Sequence, residues 1–237
     1  MALRTQHGDQ TAMNTPASSG PAMKVTAWVA ALLLSACASQ PAPPEWQSSA
    51  FSSLKGFTSA YLTGHQRIAD LELARARTEL ASTGRADWLA KAELTRCAVR
   101  VASLELDDCA SYQPLAQDAG AEAQAYAAYL TGHWSGLNAA LLPEQHRAVL
   151  SRTTGSVLPS INDPLARLVA AGVLLKMKRL TPGDVALAVE VASQRGWRRP
   201  LLAWLGVQRQ LALDAGQAEL AALAQRRMDL VAQERPK

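Results

Sequence analysis

Residues 163–196, DPLARLVAAGVLLKMKRLTPGDVALAVEVASQRG, carry two helix starts and a stop in one uninterrupted run. Asp163-Pro164 is a capping residue followed by proline at the first helical position. There the missing N–H costs nothing and the fixed φ suits the helix. Thr181-Pro182-Gly183-Asp184 repeats that arrangement and adds an acid three residues after the threonine, as in a capping box. Gly196 then supplies a residue that can turn left-handed and end the second helix. Two helices joined by a short turn are the consequence, and the rest of the chain reads the same way.

Working outward, a first helix is expected from Phe51 to about Leu62 and a second over Gln66–Ser82. The second has Ile68, Leu71 or Leu73, Ala76 and Leu80 near one face, and Thr83-Gly84 ends it. A long helix follows over about Ala86–Leu106, with Leu94, Cys97, Ala98, Val101 and Leu104 as its apolar stripe. Cys97 therefore faces the core, and Cys109 lies just past the helix end, where the chain can fold back to it. A loop with Tyr112 and Pro114 leads to a helix over Ala119–Leu130. Trp134–Leu150 reads as helical with a break at Leu142-Pro143, and Ser151–Ser160 as the longest irregular loop. Beyond Gly196, a last pair covers about Arg199–Asp214 and Gln217–Gln233, divided by Gly216. Strong helix formers dominate the chain and no convincing strand occurs from Glu45 onward. The expected fold is all-α: about nine helices in hairpins stacked as a short α-solenoid.

The N-terminal region has a different character. Met23-Lys24 precedes a short apolar stretch that closes on Leu34-Ser35-Ala36-Cys37. A positive start, an apolar core too short to span a bilayer and small residues before a cut form a secretory signal. The closing tetrad resembles the lipobox of bacterial lipoprotein signal peptides. That resemblance implies a diacylglycerol on the Cys37 thiol, usually with a third acyl chain on the new amino terminus, and two or more chains make a stable anchor. Ala38 and Ser39 follow, where an Asp would mark inner-membrane retention in many enteric bacteria. The resemblance therefore implies the periplasmic face of the outer membrane. Met1–Ala22 is polar and aperiodic, and Met23 is the expected true start. The expected organisation is an upstream extension over 1–22, a signal peptide over 23–36, a Pro-rich tether over 37–49 and one helical domain over 50–235.

Removing residues 1–36 takes away Arg4, Lys24 and Asp9 and so lowers the formal charge of +4 by one unit. A balance that small gives no electrostatic footprint for nucleic acid. In an oxidising periplasm Cys97 and Cys109 are expected to bridge.

Ala60-Tyr61-Leu62-Thr63-Gly64-His65 returns as Ala128-Tyr129-Leu130-Thr131-Gly132-His133, offset by 68 residues. That is twice the roughly 34-residue tetratricopeptide period. Gly64, Ala69, Leu73 and Ala76 have the spacing of a turn glycine followed by small residues in the second helix of such a repeat, and Gly216 and Ala221 match it in part. The first-helix Trp, Leu-Gly and Tyr positions of the family are not filled in register. The chain resembles a divergent tetratricopeptide-like protein in these segments, with generic helical hairpins as the alternative.

Chemistry-bearing patterns are sparse. His65, His133 and His146 show no metal-site spacing, and no metal or cofactor is expected. No nucleophile elbow, phosphate loop or dinucleotide fingerprint occurs. Glu105, Asp107 and Asp108 form an acidic cluster whose ordinary reading is a solvated helix end. Glu144 suits the dipole at a helix start. Trp88, Trp134 and Trp204 read as packing residues. One basic concentration stands out: Lys176, Lys178 and Arg179, then Arg195, Arg198 and Arg199 around Trp197. It is a candidate contact zone for an anionic partner.

Together these features lead to the expectation of a lipid-anchored, non-enzymatic periplasmic adaptor or envelope-assembly factor. Its partners would be the membrane, through Cys37, and another envelope protein or peptidoglycan. The alternative is a periplasmic enzyme acting on peptidoglycan, with Glu105 or Glu144 as the acid.

Overall fold

The computed structural model describes residues 43–151 and 155–233. Cys37, the signal segment and the tether up to residue 42 lie outside the described residues. Among the described residues there are nine α-helices and no strand: α1 Glu45–Thr63, α2 Gln66–Ala81, α3 Ala86–Ala102, α4 Ala121–Thr131, α5 Glu144–Ser151, α6 Pro164–Lys176, α7 Pro182–Gln194, α8 Arg198–Asp214 and α9 Ala218–Ala232. The all-α class and the count agree with the pattern read from the sequence.

The caps form as their residues dictate. Asp163 accepts the N–H of Ala166 at 2.6 Å. Thr181 and Asp184 complete a reciprocal capping box, with the Asp184 carboxylate accepting from the Thr181 N–H at 2.9 Å. Several boundaries differ from the expected ones. α1 starts at Glu45, inside the stretch assigned to the tether. Pro44 has the extended ψ, 147°, of a residue ahead of a helix, and Trp46, Ala50 and Leu54 carry the apolar stripe of α1 backward to it. α3 stops at Ala102, not near Leu106, because Leu104 turns left-handed at φ 62° and the Glu105 N–H closes back on the Arg100 carbonyl at 2.9 Å. Trp134–Leu150 is not one broken helix. Gly132 and Gly136 both turn left-handed, Asn138 caps a single 3₁₀ turn at Ala139–Leu141, and only α5 is helical. On α2 the buried face is Ala69, Leu73, Ala76 and Leu80, while Ile68 and Leu71 are 52% and 64% exposed.

α1 and α2 form an antiparallel hairpin across Gly64, and the small residues Ala69 and Ala76 let the two backbones approach. α3 packs on both. α6 then crosses α3 at close range: a Cβ on Gly172 would lie 2.3 Å from the Val101 carbonyl oxygen. One residue further along α3, the Ala102 carbonyl accepts the indole N–H of Trp204 at 3.0 Å, and Trp204 is fully buried on α8. α4 and α5 flank α3 and α6, α7 and α8 continue from α6, and α9 packs back on α8. α8 also returns to α1. The hairpin stack is therefore tied together by contacts far apart in sequence, in addition to those between neighbours.

Cys97 and Cys109 are bridged, with Cα atoms 5.1 Å apart. The bridge closes a loop in which Leu104, Asp108 and Cys109 all have positive φ. Each such residue costs of order 1 kcal/mol unless it is glycine, so the loop keeps this path only while its ends are held. The bridge holds one end. The expected solvated acids hold the other, for they are not free. Glu105 pairs with Arg100 at 2.8 Å, Asp107 with the Arg100 Nε at 2.9 Å, and Asp108 with Lys176 of α6.

Gly172→Ala is expected to destabilise the protein by about 1–3 kcal/mol through overpacking. Gly206→Ala in α8, where an added Cβ meets nothing within 4 Å, should instead gain up to about 1 kcal/mol of helix propensity. Urea midpoints of the two variants against the parent check both signs.

Candidate functional site

The basic residues singled out from sequence do not form one free surface. The Arg199 guanidinium lies over the Tyr61 ring at 4.2 Å and donates to the Tyr61 carbonyl at 2.9 Å, to Glu105 at 3.1 Å and to the Gln66 side chain at 2.6 Å. Arg198 donates to the carbonyls of Val231 and Ala232 at 2.8 and 2.9 Å, which satisfies the orphan acceptors at the end of α9. Arg195 lies over Trp197, with its guanidinium 5.4 Å from the ring centroid. Lys176 holds Asp108, Arg179 lies over Trp134 at 5.2 Å, and Lys178 is an exposed left-handed residue just past α6. Arg198 and Arg199 thus join α8 to α9, α1 and the α3 end, and among the seven Lys178, Arg179 and Arg195 are exposed.

The two copies of Ala-Tyr-Leu-Thr-Gly-His build one local device twice. Gly64 and Gly132 turn left-handed at 88° and 81°. The following His N–H reaches back to the carbonyls of Ala60 and Ala128 at 2.8 and 2.9 Å. Thr63 and Thr131 hydrogen-bond the Nδ1 of His65 and His133 at 2.9 and 2.8 Å. Two of the three histidines among the described residues are thereby occupied in helix termination.

His146 is the third, and its position was missed. Glu144-Gln145-His146 reads as a polar helix start, yet α5 turns His146 inward until it is 1% exposed, against Tyr126 and Tyr129. Its spacing from Val149, also buried, was the available signal. Tyr129 continues the stack onto Trp134, with ring centroids 5.8 Å apart and ring planes nearly parallel. Burial lowers the His146 imidazole to about 4, against a smaller opposing influence from Asp163. Burial likewise pushes the Tyr126 and Tyr129 phenols up.

Neither candidate acid stands in a closed cleft. Glu105 is held between Arg100 and Arg199. Glu144 is exposed, at the rim of an open hollow of about 330 Å³ shared with Asp163. Among the described residues no three His, Cys, Asp or Glu side chains converge as metal ligands would.

A larger concavity lies elsewhere, on α7, α8 and α9. It measures about 650 Å³ and is lined by Val185, Leu211, Ala212, Leu220, Leu223 and Ala224, with Asp214 and Arg227 also on its walls. Leu220 and Leu223 are 53% and 47% exposed, and the fully buried residues of α9 are only Ala221 and Ala224. Comparison of the chain with protein-family models, curated proteins and solved structures gives no match.

A neutral imidazole inside the fold ties stability to pH. The unfolded chain takes up a proton near pH 6.5, while folded His146 resists until about 4. The unfolded state therefore binds more protons between these values. The contribution is complete above pH 6.5 and is lost on acidification toward pH 4, by about 3 kcal/mol in all. Urea unfolding at pH 7.5 and 4.5 should show that loss in the parent, and His146→Phe should flatten it.

A second outcome concerns Arg199. Arg199→Ala should lower stability by on the order of 2 kcal/mol, since it removes one of the two arginines that hold Glu105 and unties α8 from α1. Arg195→Ala should change stability by less than about 1 kcal/mol. The same urea titrations distinguish them.

Proposed function

We propose that this protein is an outer-membrane lipoprotein, anchored through Cys37, whose helical body acts by binding as an adaptor or assembly factor on the periplasmic face. The observation that carries the binding role is the apolar groove on α7, α8 and α9. Soluble domains seldom leave leucines such as Leu220 and Leu223 beside one another in a concave wall without a partner to cover them. Stacked helical hairpins offer such surfaces to protein ligands, and a tetratricopeptide-like origin of the hairpins is part of this reading. The partner is another envelope protein that contributes an apolar segment. The groove replaces the Lys176–Arg199 stretch as the contact zone, because most of that stretch holds the fold.

The test is crosslinking and affinity capture from envelopes, with identification of the partner by mass spectrometry. Leu220→Glu with Leu223→Glu should reduce affinity for the identified partner by about tenfold or more, while helix content and stability stay near those of the parent. Glu105→Gln and Glu144→Gln should retain function wherever folding is retained. Undiminished binding by the leucine variant, or loss of function in a folded glutamine variant, would overturn the proposal.

A further inference from the structure

The charges around the groove on α7, α8 and α9 are arranged in a particular order. Along α9, Leu220, Leu223, Arg227 and Leu230 fall at helical spacing in one stripe, beside the stripe of Ala221, Ala224, Met228 and Val231 that packs inward. One residue ahead of Leu220 and of Arg227, on the side of the stripe away from α8, stand Glu219 and Arg226, about 10 Å apart along the helix axis. Both are exposed, and among the described residues neither has an ion-pair partner. On the groove walls, Asp214 at the end of α8 accepts only the Gln210 side chain, at 2.8 Å, and Arg227 has no carboxylate partner among the described residues. The acids Asp214 and Glu219 thus lie at the α8–α9 turn, the bases Arg226 and Arg227 two turns further along α9, and Leu220 and Leu223 between them.

A surface that is acidic at one end, basic at the other and apolar between is complementary to itself when turned end for end, which is what a two-fold axis does. With the axis between Leu220 and Leu223, two α9 helices lie antiparallel. Leu220 of each copy then meets Leu223 of the other, Glu219 meets Arg226, and Arg227 reaches past the start of the opposing helix toward Asp214 beside the turn. A parallel pair would set acid against acid and base against base. An antiparallel pair slid by one heptad would set Arg226 against Arg226 and Leu223 against Arg227. Like charges in apposition penalise both alternatives, so the charges select one register. Resting on the groove as the binding surface proposed above, we infer that a second copy of this chain covers it when the envelope partner is absent, as an antiparallel α9–α9 dimer. The overlap is roughly two turns of helix from each copy, small beside the interfaces of stable complexes, so a partner can displace it. One surface cannot hold both, and self-association and partner binding therefore exclude each other.

The experiment is sedimentation equilibrium of the full-length protein in detergent micelles at matched solvent density, with circular dichroism to establish that each variant is folded. The parent should dimerise. Glu219→Arg alone and Arg226→Glu alone each set like charges against one another twice and should weaken self-association about tenfold or more. An equimolar mixture of the two variants should regain the dimer, because each supplies the charges the other lacks, and the protein carrying both changes should regain it as well. A monomeric parent, single variants that associate as strongly as the parent, or a mixture no better than its components would overturn the dimer. Capture of the envelope partner by the protein with Leu220→Glu and Leu223→Glu tests the groove separately. Capture lost in that variant, with a monomeric parent, would sink this inference and leave the groove reading. Undiminished capture, with a parent dimer that obeys the charge pattern, would sink the groove as the partner's site and leave the self-association.

Discussion

The close passage of α6 across α3 is the constraint on which the remaining packing depends. With Gly172 against the Val101 carbonyl, the backbones approach to a separation that admits no side chain. That proximity sets the crossing of the two central helices. It also leaves the last carbonyls of α3 aimed into the protein, where an unpaired acceptor would be costly. The Ala102 carbonyl is satisfied by the Trp204 indole, so α8 is drawn over the end of α3. Once α8 is there, Arg199 reaches Tyr61, Gln66 and Glu105, and the first hairpin is bound to the last third of the chain. The α3 end thus becomes the place where α1, α6 and α8 meet.

The same point explains why an acidic loop with three left-handed, non-glycine residues is tolerated. The bridge to Cys109 and the pairs made by Glu105, Asp107 and Asp108 restrain the loop from both ends and from α6. The disulfide and charge pairing within the fold therefore support a single conformation. The expense of that arrangement is that basic residues which might have met a partner are used internally. Exposed apolar surface is left where the fold runs out of neighbours, as on α9, where Leu220 and Leu223 are about half exposed.

Much of the fold was legible because its signals are local. The capping box at Thr181–Asp184, the capped start at Asp163 and the left-handed stops at Gly64, Gly196 and Gly216 need only adjacent residues to act. The stripe containing Cys97 was also legible, because a 3.6-residue period places it inward whatever lies opposite. The α2 stripe was less so. Ile68 and Leu73 are equally apolar, and only the position of α1 decides that Leu73 is covered and Ile68 is not. His146 escaped for the same reason: a polar helix start becomes a buried aromatic stack only when Tyr126 and Tyr129 arrive from α4. The basic stretch looked like a surface because its acceptors lie as far away as Tyr61 in one direction and Ala232 in the other.

The sequence by itself determined the helical class, the principal caps and turns, and a cysteine pair within reach of one another, since each follows from backbone preference and short-range spacing. It also carries the Leu34-Ser35-Ala36-Cys37 motif on which the anchor reading rests. The tertiary structure alone decided which charges are spent in holding helices together and which leucines stay uncovered. It also decided which histidine is withdrawn from water. These depend on which surfaces meet across separations of up to 138 residues, as between Arg199 and Tyr61, and burial and pairing at such distances are properties of the assembled core, not of any segment of it.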